Sequence, residues 1–286
     1  MKADKNRLYN DVKFLTDLRP FRNYKNVESL NRAAEYIKTE FEKTGMKVSE
    51  QTWIAAGNEY KNIIAEYNSG AKRKLVIGGH YDVAGDQPGA DDNASAVAGL
   101  LETARLMAEQ KPDIDHSVVF VAYSLEEPPF FGGEEMGSYV HAKSLKDTGA
   151  DVLGMICYEM IGYFSDEPGS QKQMFFESKE EHPDKGNFIV MIGRDGYEAF
   201  NDKVLGLMKE KQLIDVHYII SEKNGSAAYS DNRNYSNMGY PAVMINDTTY
   251  LRNPNYHKIT DTIDTLDFDR MADVVSVTYH AAINLE

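Results

Sequence analysis

The chain has one cysteine, Cys157, so no disulfide can close within it, a usage that fits a reducing compartment. Cys157 lies inside the apolar run DVLGMICY and reads as an inert core thiol. No apolar stretch approaches the roughly 20 residues that cross a bilayer, which excludes a membrane span. Basic residues are scarce: 31 Lys and Arg stand against 45 Asp and Glu, a formal net charge of −14. Without clustered Lys and Arg there is no means of releasing counterions from a phosphate backbone, so nucleic acid is excluded as a partner. Metal ions and a cationic peptide amine remain compatible with that charge. The opening MKADKNRLYNDVKFL lacks the apolar core and small-residue cleavage site of a secretory signal. The expected location is therefore cytoplasmic, or secreted or periplasmic if a leader has been trimmed. No GxSxG elbow is present and Cys157 has no neighbouring His, which argues against a Ser or Cys nucleophile.

What is present is a chain of 286 residues, 42% hydrophobic and 27% charged, the composition of a soluble globular protein that can bury a large core. There is no internal repeat, low-complexity tract or long Pro/Gly linker, so residues 1–286 are expected to form one domain. Between Val27 and Thr44 the apolar residues Leu30, Ala33, Ala34, Ile37 and Phe41 recur at helical spacing, with Gly45 as a natural stop. Lys47 to Ile54 and Tyr60 to Tyr67, separated by AAGN, read as a hairpin. Six short apolar runs follow, KLVIGG, SVVFVAY, DVLGMICY, NFIVMIG, DVHYII and YPAVMIN. Helical segments interleave with them, near Ala94–Gln110, Glu134–Leu145, Tyr197–Lys211 and from Phe268 to the end. Strands buried on both faces between helices predict a three-layer α/β/α sandwich with a mixed, mainly parallel central sheet and the hairpin as an antiparallel edge. The polar stretch from Ser165 to Lys185 reads as loop on both sides of a short MFFE segment.

The residues suited to chemistry fall where these strands end, which in open α/β sheets is where ligands bind. KLVIGG ends in His80-Tyr81-Asp82; residues two apart on an extended chain share a side, so His80 can ligate a metal while Asp82 supports the imidazole from behind. Asp92 precedes a helix, where a carboxylate can equally serve as an N-cap. Glu126 and Glu127 leave SVVFVAY as adjacent like charges, poor structural elements that a bound cation would explain. Glu134 and Glu135, a turn or two later, are rivals for that role or favour the N-terminus of the helix that follows. Glu159 ends DVLGMICY in an apolar context and needs a partner. His257 lies in NPNYHKITDTIDTLD ahead of the last helix, which Thr265 or Asp264 is expected to cap. His116, His141, His182 and His217 lack a matching carboxylate context and read as surface or satisfied core histidines.

HYD, GADDNAS, the strand-terminal Glu pair and YHKITDT, in this order, resemble metallopeptidase family twenty-eight, the di-zinc aminopeptidases whose relatives include glutaminyl cyclases and glutamate carboxypeptidases. The resemblance runs from about His80 to Asp264. It implies a zinc-exopeptidase fold, two zinc ions (cobalt or manganese being alternatives) and a peptide substrate with a free N-terminus. Carried over position by position, Asp92 would bridge the two metals, His80 and Glu159 would complete one site, and Glu127 and His257 the other. Glu126 would be the general base, and Tyr256 would offer a phenol to the oxyanion, its alternative being aromatic packing. The family usually carries Asp where this chain has Glu159. The expected activity is thus removal of N-terminal residues from peptides. The alternatives are glutaminyl-peptide cyclisation, whose enzymes tend to carry Trp at the position of Tyr256, and a binding-only member of the fold. Ser230-Asp231 falls in a segment that often borders the family's cleft, or forms a turn or helix cap.

Overall fold

The computed structural model of the chain describes residues 2–172, 183–221 and 230–285. His182 and the MFFE segment lie outside them. All six apolar runs are strands, and with the hairpin they build one eight-stranded sheet. The strands are β1 (Lys47–Ala55), β2 (Asn58–Tyr67), β3 (Arg73–His80), β4 (Ser117–Tyr123), β5 (Asp151–Glu159), β6 (Ile189–Arg194), β7 (Val216–Ser221) and β8 (Ala242–Asn246). Their spatial order is β1-β2-β4-β3-β5-β8-β6-β7. β4, β3, β5 and β8 run parallel, and β1–β2 form the expected antiparallel edge. At the far edge β6 and β7 are parallel to each other but opposed to β8.

Seven helices accompany the sheet among the described residues: α1 (Lys5–Asp17), α2 (Val27–Lys43), α3 (Ala96–Gln110), α4 (Gly137–Asp147), α5 (Glu198–Glu210), α6 (Asn232–Asn237) and α7 (Phe268–Asn284). Successive residues of a strand face opposite ways, and in the central strands both ways are buried. Leu75, Ile77, Phe120, Ile156 and Ile245 pack into the layer holding α1, α2, α3, α5 and α7. Val76, Val121, Met155, Cys157 and Met244 pack into the layer of α4 and α6. This two-sided burial is why the strands read as continuous apolar runs instead of alternating ones. No helix among the described residues is long and apolar enough to cross a membrane.

Several boundaries differ from expectation. α1 was not anticipated; it docks on α3 through Arg105, whose guanidinium bonds both oxygens of Asp11 at 2.6 and 2.9 Å. α4 begins at Gly137, so Glu134 and Glu135 precede it as exposed turn residues. The last helix is capped by Asp267, which accepts from the Arg270 N–H at 3.0 Å, and not by Thr265 or Asp264, which lie in a short 3-10 turn.

His141 illustrates a buried histidine with a structural role. Its Nδ1 meets the Tyr235 hydroxyl, which is 2.7 Å from the hydroxyl of Tyr123, and burial lowers its pKa from 6.5 to about 4. The unfolded chain takes up this proton near pH 6.5 and the folded chain only near 4, so stability falls as pH drops through that window. The loss attributable to His141 is about 3 kcal/mol. Urea titrations at pH 7 and pH 4 should therefore diverge less for His141→Gln than for the wild type; an equal pH dependence would remove the assignment.

Candidate metal centre

Four chain segments deliver side chains to one cleft beyond the carboxyl ends of β3, β4, β5 and β8. His80 is the last residue of β3, Glu159 the last of β5, Glu126 and Glu127 follow β4, and His257 lies in the long connection after β8. Asp92 sits in the irregular turn Ala90–Ser95 that feeds α3. It does not cap the helix, because α3 begins four residues later, at Ala96. The ligand atoms of His80, Asp92 and Glu127 lie within 4.8 Å of one another.

Asp92 stands between two halves. Its Oδ1 is 3.6 Å from His80 Nε2, and its Oδ2 is 3.0 Å from His257 Nε2. On the first side, His80 Nε2 is also 3.4 Å from Glu159 Oε2 and 3.7 Å from Glu126 Oε2. On the second, His257 Nε2 is 3.4 Å from Glu127 Oε1. The structure thus brings together all six of His80, Asp92, Glu126, Glu127, Glu159 and His257. Tyr256 stacks on the His257 ring at 3.8 Å and borders the same cavity. The extra methylene of Glu159 is accommodated by two donors, Ser230 Oγ at 2.6 Å and Asn93 Nδ2 at 3.1 Å, which hold its Oε2 toward His80.

Asp82 lies behind His80, with Oδ1 3.4 Å from Nδ1. Its two oxygens also accept the backbone N–H groups of Glu126 and Glu127, each at 3.1 Å. The Asp82 backbone carbonyl, 3.2 Å from His80 Nδ1, and its carboxylate together turn Nε2 to the cleft, and the carboxylate fixes the start of the Glu pair. Asp261 does the same for the bridging turn, its oxygens accepting the N–H groups of Asp91 and Asp92 at 2.9 and 3.1 Å.

Such a concentration of buried carboxyls is expensive unless protons or cations accompany it. Burial and the neighbouring Asp92 push the Glu127 carboxyl up to about 8. Glu126 is pushed well above the usual carboxylate range, by burial first, with Glu127 and Glu159 adding to it. Burial disfavours the His257 imidazolium, but Asp92 and Glu127 outweigh that and raise it to about 10. Asp92 Oδ2 and Glu127 Oε1 are buried, and neither receives a well-directed hydrogen bond. Two orphaned carboxylate oxygens converging with an imidazole nitrogen form a donor set that suits a zinc-type ion. The residues present fit the metal that the resemblance implies.

The cleft opens into a cavity of about 400 Å³ whose far wall is apolar, built from Val190, Ile192, Ile219, Met244 and Leu251, with Phe131 at the side. Glu134 and Glu135, exposed in the turn before α4, line no part of it.

Sequence reading does not single out Asp261 or Asn93, whereas Ser230-Asp231 is among its cleft candidates. Asp261 belongs to YHKITDT, yet the backbone it holds is 170 residues away. Asp231, the residue before α6, is fully buried and raised to about 7 by that burial, with Glu159 and Asp82 adding to it.

Comparison with known proteins identifies the family. The model of peptidase family M28 matches residues 62–282. The chain is 41% identical to YfbL, an uncharacterized protein of Escherichia coli K12, over 96% of this chain and 86% of that one. It is 27% identical to leucine aminopeptidase 1 of Leptosphaeria maculans over 80% of this chain, which spans 55% of that longer protein. Among solved structures, the LapA aminopeptidase of Legionella pneumophila superposes with a TM-score of 0.77 at 19% identity, covering 99% of this chain and 73% of that one. A glutaminyl cyclase of Bacteroides thetaiotaomicron superposes with a TM-score of 0.73 at 22% identity, covering 100% and 99%. At those identities the structures share the fold alone. The chain belongs to peptidase family M28.

Proposed function

We propose, with membership of the M28 peptidases as the premise, that this protein is a di-metal aminopeptidase acting on peptides with a free N-terminus and an apolar first residue. The observation that carries the reading is the shared carboxylate of Asp92, one oxygen facing His80 and Glu159 and the other facing His257 and Glu127. His80, Asp92 and Glu159 would hold one ion, and Asp92, Glu127 and His257 the other. Zinc is the ion these N and O donors suit, with cobalt or manganese as substitutes. When bound, the ions supply Lewis acidity and lower the pKa of water toward neutrality.

The remaining work belongs to the chain's own side chains. Glu126 lines the cavity beside both halves of the cluster and, as general base, takes a proton from the attacking water and delivers it to the departing amine. Tyr256 stays protonated, because burial and then the carboxylates of Asp92 and Glu127 raise its pKa, so its phenol can donate to the developing oxyanion. Asp82 keeps the His80 tautomer with Nε2 free. The acidic cluster suits an N-terminal ammonium, and the wall of Val190, Ile192, Ile219 and Met244 suits an aliphatic or aromatic side chain. The leucine aminopeptidase name of a 27% identical relative points the same way.

The competing reading is glutaminyl-peptide cyclisation. It is disfavoured by Tyr256 standing where the cyclases tend to carry Trp, and by an apolar wall that offers little to a glutamine amide. Zinc-loaded protein is expected to release p-nitroaniline from leucyl, methionyl and phenylalanyl p-nitroanilides at least tenfold faster than from glutamyl or lysyl ones, and not from N-acetyl-leucyl p-nitroanilide. Pyroglutamate formation from glutaminyl peptides, without peptide-bond cleavage, would replace this reading with the cyclase.

A further inference from the structure

We infer that Arg22, in the connection between α1 and α2, is a positioning residue of the metal centre that sets the loop between His80 and Asp92; this rests on the metal-centre reading above. Arg22 lies outside the family-matched residues 62–282 and lines no part of the cavity. Its side chain is fully buried. Nε donates to the carbonyl of Tyr81 at 2.8 Å and Nη2 to that of Gly89 at 2.6 Å, while Nη1 serves the carbonyls of Pro88 and of Leu15, the latter at 3.1 Å. The backbone carbonyl of Arg22 accepts from the Val83 N–H at 3.2 Å. Asn23 adds bonds from Nδ2 to the Gly85 carbonyl and Asp86 Oδ1, each 3.1 Å.

The loop from Tyr81 to Gly89 begins one residue after one candidate ligand and ends three before another. Its inward carbonyls have to be satisfied once buried, and one planar guanidinium does so at both ends. A planar fork fixes the separation of the groups it binds, which an ammonium on a flexible stem cannot do. The loop closes tightly over it: Gly89 has φ +60°, and a Cβ there would stand 2.3 Å from the Asp92 carbonyl and 3.1 Å from Arg22 Nη2. A buried cation is tolerated here because Asp261, Asp92, Asp82 and Glu127 surround it. Arg22 touches no candidate ligand side chain; it acts through the backbone that carries His80 and Asp92.

The test measures zinc affinity of metal-free protein by competition with a chromophoric chelator, together with the visible absorption of the cobalt-substituted protein. Arg22→Lys keeps the charge and loses the fork, and is expected to bind zinc about 10- to 100-fold more weakly, with altered cobalt bands and an unchanged far-UV circular dichroism spectrum. Asn23→Ala, which loses the mid-loop bonds and the local bond from the Lys25 N–H to Asn23 Oδ1, is expected to weaken zinc several-fold. A folded Arg22→Lys protein with wild-type affinity and cobalt bands, even if less stable to urea, overturns the inference. Should Arg22→Lys not fold, Asn23→Ala decides: weakened binding supports the inference and unchanged binding overturns it. A wild type that binds no zinc would instead remove the metal-centre reading itself, and the inference with it.

Discussion

Replacing Glu126 by Gln is expected to lower kcat by about 10²- to 10⁴-fold, the range that a positioned general base contributes, while zinc content and KM change little. The geometry explains why so small a substitution reaches so far. Glu126 Oε2 stands 3.7 Å from His80 Nε2, its backbone is fixed by Asp82, and its carboxyl faces the cavity. Gln preserves the shape and the N–H contact to Asp82 but cannot accept a proton. A loss confined to kcat marks a group engaged in the transition state and not in holding substrate. Glu134→Gln and Glu135→Gln provide the contrast, since both side chains are exposed in the turn before α4; wild-type rates are expected. Retained turnover in Glu126→Gln, measured by stopped assay at saturating leucyl p-nitroanilide, would move the base elsewhere.

Asp92→Asn is expected to act on the metal first and on the rate in consequence. Each oxygen of Asp92 faces a different imidazole, 3.6 Å from His80 and 3.0 Å from His257, so losing one anionic oxygen weakens both halves together. Elemental analysis after equilibration with zinc should show substoichiometric metal. Metal-ion catalysis contributes several kcal/mol, so kcat/KM should fall roughly 10³-fold. The wild type offers a second readout: zinc at a thousandfold excess over its Kd is expected to stabilise the folded chain by about 4 kcal/mol, and Asp92→Asn should gain little of this in a thermal melt. Full metal content and a wild-type melt shift in Asp92→Asn would show that it does not bridge.

The parts of the fold legible in the sequence are those where local pattern and tertiary environment agree. KLVIGG and SVVFVAY are continuous apolar runs because both faces of β3 and β4 are covered, and His80 and Glu126 are legible because they follow such runs directly or within three residues. α1 escaped notice because its buried residues Leu8, Val12 and Leu15 are set among charged and polar neighbours, and part of its docking is ionic, through Asp11 and Arg105. The cap of α7 was misplaced because Asp264, Thr265 and Asp267 are all competent caps and only packing chooses among them. Arg22 was invisible for a different reason: its partners are backbone carbonyls about 60 residues away, and backbone acceptors leave no trace in side-chain identity. Asp261 likewise holds N–H groups that every residue has. The groups expected to perform chemistry are therefore easier to read than the groups that aim them.

The reversal of β6 and β7 at the sheet edge separates the cavity wall from the candidate ligands. The candidate ligands come from the ends of β3 and β5 and the connections after β3, β4 and β8, whereas Val190, Ile192 and Ile219 of the cavity wall come from the opposed pair. On the proposed function, chemistry and selectivity would thus fall on separate strands, joined along β8. Substitutions in β6 and β7 can reshape the space for the first side chain while leaving every ligand-bearing strand in register. Under the proposed activity, preference for the first side chain is therefore open to change at positions that carry no candidate ligand.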